Sequence, residues 1–125
     1  MKTNELNPLV LAYLGDSIYE VYVRKYLIEK GISHVNDLQK EAIKYVSAKS
    51  QSKILEELTN NNFLKEEELE IIRHARNTKI GSHPKGASII EYRYATGLEA
   101  LVGSLYLDNE VTRLDEIMRE VFDKC

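Results

Sequence analysis

The sequence predicts an all-α domain, and three observations carry that expectation. Apolar residues recur three and four positions apart along six successive segments. Helix starts and stops punctuate those segments: Asn7-Pro8 at the first, Gly31 after it, Asn60-Asn61-Asn62 and Asp108-Asn109 further on. No stretch alternates apolar and polar residues as a half-buried strand does. With 125 residues, 43% hydrophobic and 30% charged, the chain reads as a single domain over 1–125 with a genuine core. Internal repeats, low-complexity tracts and linkers are absent from it.

Each element has a local reason. Asn7 can accept from the free amides of a first helix, and Pro8 suits its first turn. Leu11, Leu14, Ile18, Val21 and Tyr22 follow helical spacing until Gly31 supplies a stop. Apolar positions there cover more than one stripe, which predicts a central helix or one shared with a second subunit. A second helix runs from about Asn36 to Val46, with Leu38, Ala42, Ile43 and Val46 inward. A bend is expected near Ser47, then a continuation through Ile54, Leu55 and Leu58 to Asn60. The next helix, about Lys65 to Asn77, opens on glutamates and closes on arginines, matching its macrodipole. Gly81, Pro84 and Gly86 mark 78–87 as an irregular loop. A long helix follows from about Ser88 to Leu107, and a last amphipathic one uses Val111, Leu114, Ile117, Met118 and Val121.

Composition removes several classes of protein. No apolar run approaches the roughly 20 residues that cross a bilayer, so no membrane partner is expected. The first residues carry an early acid and no apolar core, unlike a signal peptide. A single cysteine, Cys125, excludes an internal disulfide framework and a cysteine-rich zinc site, and fits a cytoplasmic location. The net charge of −3 hides segregation. Arg73, Arg76, Lys79, Lys85 and Arg93 face only Glu91 in their stretch, whereas 56–70 holds six glutamates and one lysine. One polyanion-facing surface on an acidic body is the expectation.

Two apolar helices each carry a lone carboxylate beside glycine. The segments are Leu11-Ala12-Tyr13-Leu14-Gly15-Asp16-Ser17 and Thr96-Gly97-Leu98-Glu99-Ala100-Leu101-Val102-Gly103. An unpaired buried charge is costly, so Asp16 and Glu99 must reach water, a partner or a metal. Interior glycines each give up about 1 kcal/mol of helix propensity relative to alanine, which points to close packing at Gly15, Gly97 and Gly103. Helices crossing at those small residues would bring both carboxylates into one pocket. Magnesium suits such a pair, because it binds through one or two carboxylates and keeps several waters. Glu20 shares a helix face with Asp16, and Arg24 stands ready to pair with it.

Other chemistries find no support in the residues. His34, His74 and His83 show no paired metal spacing. Zinc-protease, phosphate-loop and dinucleotide motifs are missing, as is a serine elbow. Arg73, Arg76, Asn77 and Lys79 crowd the end of one helix and feed the loop holding His83 and Lys85. Such donors suit phosphate and sugar contacts, with Lys49 and Lys53 as weaker candidates.

The Leu11–Ser17 segment resembles the signature helix of the ribonuclease III domain, and Thr96–Gly103 resembles that family's second acidic motif. Order, separation and the all-helical reading agree along essentially the whole chain. Tyr19-Glu20-Val21-Tyr22-Val23-Arg24, Ala75-Arg76-Asn77 and Tyr92-Arg93-Tyr94-Ala95-Thr96-Gly97 are similar to its small bacterial subfamily, the Mini-ribonucleases III. The chain leaves no room for a separate double-stranded-RNA-binding domain, again like that subfamily.

The resemblance implies a homodimeric ribonuclease III helical bundle: a magnesium-dependent endonuclease of double-stranded RNA that matures the large-subunit (23S) ribosomal RNA precursor. A ribosomal protein seated on the substrate is a further partner it admits. Asp16 matches the family's catalytic aspartate and Glu99 its metal-binding glutamate. Ala12 and Thr96 stand where the family has two more acids, so fewer direct ligands are implied, with water or the Thr96 hydroxyl filling their positions. Glu20 is not a family acid and at most supports the ligands from behind. Tyr13 falls where the family places an aromatic residue that plugs into the partner subunit. RNA grip is assigned to Arg73, Arg76, Asn77, Lys79, His83 and Lys85. The rival reading is a domain of this family that holds structured RNA without cutting it, which Ala12 and Thr96 keep open.

Overall fold

The computed structural model describes residues 3–78 and 88–123. A short 3₁₀ turn, Thr3–Glu5, precedes six α-helices among the described residues. They are α1 (Pro8–Glu29), α2 (Val35–Val46), α3 (Ala48–Asn60), α4 (Glu66–Asn77), α5 (Ile89–Leu107) and α6 (Val111–Asp123). Among these residues no strand is present, and no helix is long and apolar enough to cross a membrane. The expected loop falls almost wholly on 79–87, outside the described residues.

Helix boundaries follow local chemistry. Asn7 caps α1, its side-chain oxygen accepting from the Leu9 N–H at 2.8 Å. Ser88 and Glu91 close a reciprocal capping box on α5, both bonds 3.0 Å long. Three helices stop in the same way. Gly31, Asn62 and Asn109 adopt positive φ (97°, 56° and 58°). The next amide then bonds back to Leu27, Leu58 or Leu105 respectively, satisfying an orphan carbonyl. At Ser47 the chain does more than bend: this residue ends α2 in extended geometry, and its hydroxyl accepts from the Ser50 N–H to start α3.

Helix α5 is the hub, packed against α1, α3, α4 and α6. Every residue from Ala95 to Leu105 is buried except Glu99, which is half-buried. Most of the core lies between α5 and the aliphatic faces of α1, α3 and α6, around Val23, Leu58, Leu98, Leu101, Ile117 and Val121. A smaller cluster joins α1, α4 and α5 through Leu11, Ala12, Ala75 and Ala100.

Helix α1 buries Leu11, Ala12, Gly15, Tyr19, Val23 and Leu27, while Val21 is exposed. Apolar residues surround this helix, so periodicity alone selects no face. The face with small residues wins because α5 can approach it closely. On α2 the buried residue is Tyr45, whose neighbour Ile43 faces outward against expectation. Tyr45 caps an aromatic group instead, edge-on to Tyr26 and Phe122, which stack on each other at 4.1 Å.

Candidate active site

Close approach of α1 and α5 builds the site. A Cβ on Gly15 would lie 1.7 Å from the Glu99 carbonyl oxygen, and one on Gly103 would lie 2.0 Å from that of Leu11. Backbone therefore meets backbone, and only glycine fits at either position. Gly97 sits more loosely against Ile72 of α4, with a hypothetical Cβ 3.0 Å from its side chain.

This crossing seats Gly15 against the Glu99 backbone and so sets Asp16, the next residue, near enough for its carboxyl group to act on that of Glu99. Asp16 is exposed and Glu99 half-buried, so the pair lies at the rim of the core within reach of solvent. Burial, and then the neighbouring Asp16, push the Glu99 carboxyl up to about 9. A hydrogen bond from Gln51 opposes the rise without overcoming it. The Gln51 amide nitrogen stands 3.5 Å from Glu99 Oε2. Among the described residues the groups acting on Glu99 are thus Asp16 and Gln51, and neither is a cation.

Two neighbouring carboxylates with no positive partner among the described residues suit a hard divalent cation. Among the described residues no group of three or more His, Cys, Asp or Glu gathers. Two protein oxygens with water or substrate completing the shell fits magnesium, which retains water readily.

The remaining candidate residues are distributed around this pair. Thr96 is buried one turn before Glu99, and its hydroxyl donates to the Tyr92 carbonyl at 2.8 Å. Ala12 is packed with Ala75 and Ala100 rather than facing a cavity. Glu20 is held by Arg24 at 3.2 Å. Tyr13 is 82% exposed. Arg73 pairs with Glu70 at 2.5 Å, and Arg76 lies over the Tyr94 ring at 5.6 Å. Both arginines line a groove of about 560 Å³ between α3, α4 and α5, together with Ser52, Asn60 and Tyr94. Asn77 is exposed at the end of α4. Lys79, His83 and Lys85 lie outside the described residues.

Sequence reasoning missed one residue beside the acids. Gln51 is 1% exposed and touches the acidic pair; a glutamine spaced like a core position was the available signal. The Nε of Arg93, which belongs to the basic stretch, is buried without a hydrogen-bond partner among the described residues.

An all-helical bundle with two acids drawn together at a glycine crossing defines a class: the chain belongs to the ribonuclease III domain family, which it matches over residues 9–110. It is an endoribonuclease of that type. Within the family it groups with the proteins named Mini-ribonuclease 3. It is 50% identical over 119 residues to the one from Brevibacillus brevis, covering 95% of this chain and 87% of that protein. The Clostridium tetani protein is 46% identical over 120 residues, covering 95% of this chain and 78% of its own length. A crystal structure of a Fusobacterium nucleatum protein superposes with a TM-score of 0.88 at 34% identity, covering 99% and 98% of the two chains.

Proposed function

We propose that this ribonuclease is a homodimeric, magnesium-dependent enzyme of the cytoplasm that cuts double-stranded RNA at the Asp16–Glu99 pair. Its substrate on this reading is a stem of the large-subunit (23S) ribosomal RNA precursor, with a ribosomal protein as a further partner there. One observation carries the catalytic assignment: the α1–α5 crossing at Gly15 sets Asp16 beside Glu99 at the rim of the core, and among the described residues no cationic side chain acts on Glu99. When bound, magnesium supplies Lewis-acid activation of water and neutralises charge at the phosphate. Asp16 and Glu99 would hold the ion, both set by the α1–α5 crossing where backbone meets backbone at Gly15 and Gly103. The Thr96 hydroxyl has its proton committed to Tyr92, which leaves its oxygen free to accept from water.

Substrate grip is assigned to Arg73, Arg76 and Asn77, with Lys79, His83 and Lys85 beyond them. Stacking on Tyr94 holds the Arg76 guanidinium over the groove. Duplex RNA is recognised largely through phosphates and 2′-hydroxyls, so these cations suffice without exposed stacking platforms. Dimerisation is supported by α1, whose outer face leaves Val10, Tyr13, Val21 and Ile28 uncovered. A stripe of that length on one helix calls for a partner helix.

Digestion of a long RNA duplex with and without magnesium, comparing the unmodified protein with Asp16→Asn, tests the reading. Cleavage only with the ion, lost in Asp16→Asn while duplex binding persists, is expected. Equal cleavage by Asp16→Asn overturns the site, and binding without any cleavage favours an RNA-holding module. Sedimentation is expected to show a dimer that Tyr13→Ala shifts toward the 14.4 kDa chain; a monomer at micromolar concentration in the unmodified protein removes the paired-site picture.

A further inference from the structure

Gln51 is the one polar side chain that a third helix contributes to the acidic pair among the described residues. It lies in the first turns of α3, a few residues after the Ser47 break, and is 1% exposed. Its neighbours Ile54, Leu55 and Leu58 serve the same interior with aliphatic groups. An amide buried at such a place is unfavourable unless bonded, and an apolar side chain of equal volume packs there at lower cost. Packing alone therefore does not explain a glutamine. Its Nε2 is turned to Glu99 Oε2 at 3.5 Å. That contact is long for a hydrogen bond, so what it provides is direction: one carboxylate oxygen faces α3, and the group as a whole is kept beside Asp16.

The residue type fits the task. A lysine or arginine at position 51 would occupy the carboxylates with its own charge and compete with a metal ion. A glutamate would add a third negative charge and repel the group it should hold. A neutral donor does neither, because it never titrates and its N–H can only point at the acceptor.

We infer that Gln51 is a positioning residue: by donating to Glu99 it holds that carboxylate beside Asp16 and so sets the affinity of the pair for its divalent ion. The inference rests on the reading of Asp16 and Glu99 as a cation site. Partners that orient metal ligands typically govern affinity by about 10- to 100-fold.

The test uses manganese as a spectroscopic probe of the RNA-free protein, with free ion followed by electron paramagnetic resonance. Gln51→Met fills nearly the same volume without the donor. It is expected to weaken manganese binding by about tenfold or more, while the thermal midpoint in chelator stays level or rises. Duplex affinity in chelator stays unchanged, and the magnesium concentration for half-maximal cleavage rises with little change in kcat at saturation. Gln51→Asn keeps the amide but draws it back by one methylene, and the same weakening is expected. A merely structural glutamine would move the thermal midpoint and leave manganese binding alone. Unmodified affinity in either variant overturns the proposal when Asp16→Asn binds the ion poorly. If Asp16→Asn also binds like the unmodified protein, the cation site itself falls, and this inference with it.

Discussion

Two glutamates are withdrawn from water in this small bundle, and their surroundings treat them in opposite ways. Glu68 opens α4, is 3% exposed, and is gripped on both oxygens by Arg113 of α6 at 2.8 Å each. The Lys65 N–H adds a third bond of 2.8 Å. Arg113 is itself completed by the Phe63 carbonyl at 2.8 Å and by the Phe63 ring at 4.7 Å. Burial alone would raise the Glu68 carboxyl, but Arg113 and the Lys65 amide reverse that and hold it below its ordinary value. Glu99, half-buried and with another acid for a neighbour, rises to about 9. One corner is electrostatically finished; the other, among the described residues, is left short of positive charge. The difference teaches where to look for function: a buried acid with every oxygen satisfied is architecture, and one without such compensation is where a ligand is sought first.

Breaking the finished corner is expected to have the largest effect on stability. Arg113→Leu strands the Glu68 charge inside the protein and should lower the unfolding free energy by about 3–5 kcal/mol in urea titrations. Adding Glu68→Met should recover most of it, since a buried pair replaced by apolar groups is often neutral. Cleavage at a temperature where the variant stays folded should not change. A loss below about 1 kcal/mol would mean that the corner is not the staple its geometry indicates.

The seam beneath the other corner comes next. Gly103→Ala drives a methyl into the Leu11 carbonyl and is expected to cost about 3 kcal/mol, outweighing the roughly 1 kcal/mol that alanine gains in a helix. Because α1 and α5 must part, divalent-ion binding should fall with stability. Preserved ion binding in a destabilised Gly103→Ala protein would separate the site from the crossing.

Smaller and opposite in sign is Glu99→Gln. With its pKa raised to about 9, Glu99 keeps a proton in the folded protein that the unfolded chain releases above about 4.5. Stability of the metal-free protein should therefore decline as pH rises from about 5 toward 9. Glu99→Gln should flatten that decline and stabilise the metal-free protein at pH 8 by an amount on the order of 2 kcal/mol, while abolishing cleavage. Glu68 behaves conversely: its contribution is present above the ordinary carboxylate range and is lost as pH falls through its lowered value. Thermal midpoints from pH 4 to 9 in chelator would check both slopes. A Glu99→Gln protein that keeps the original alkaline decline would erase the contrast.

Much of this was legible in the chain before folding. All six helices were anticipated from spacing and from stops such as Gly31 and Asn109, because these signals act over a single turn. The glycine crossing, too, could be read from Gly15 and Gly103, whose helix penalty needs a reason. Harder to see was which face of α1 turns inward. Ile18 and Val21 look as buried as Tyr19 and Val23 in a helix that is apolar all round, and only the position of α5 decides between them.

What the amino-acid sequence determined alone is therefore everything local: the helices, their caps, and the two lone acids in apolar surroundings. Tertiary structure decided what depends on meetings between distant segments. It turned the Ser47 break so that Gln51 reaches Glu99, and it joined Arg113 to Glu68 across 45 positions of chain. Periodicity fixes a side chain's direction around its own helix axis, but a contact needs the relative placement of two axes, and that is set by the packing of the whole core.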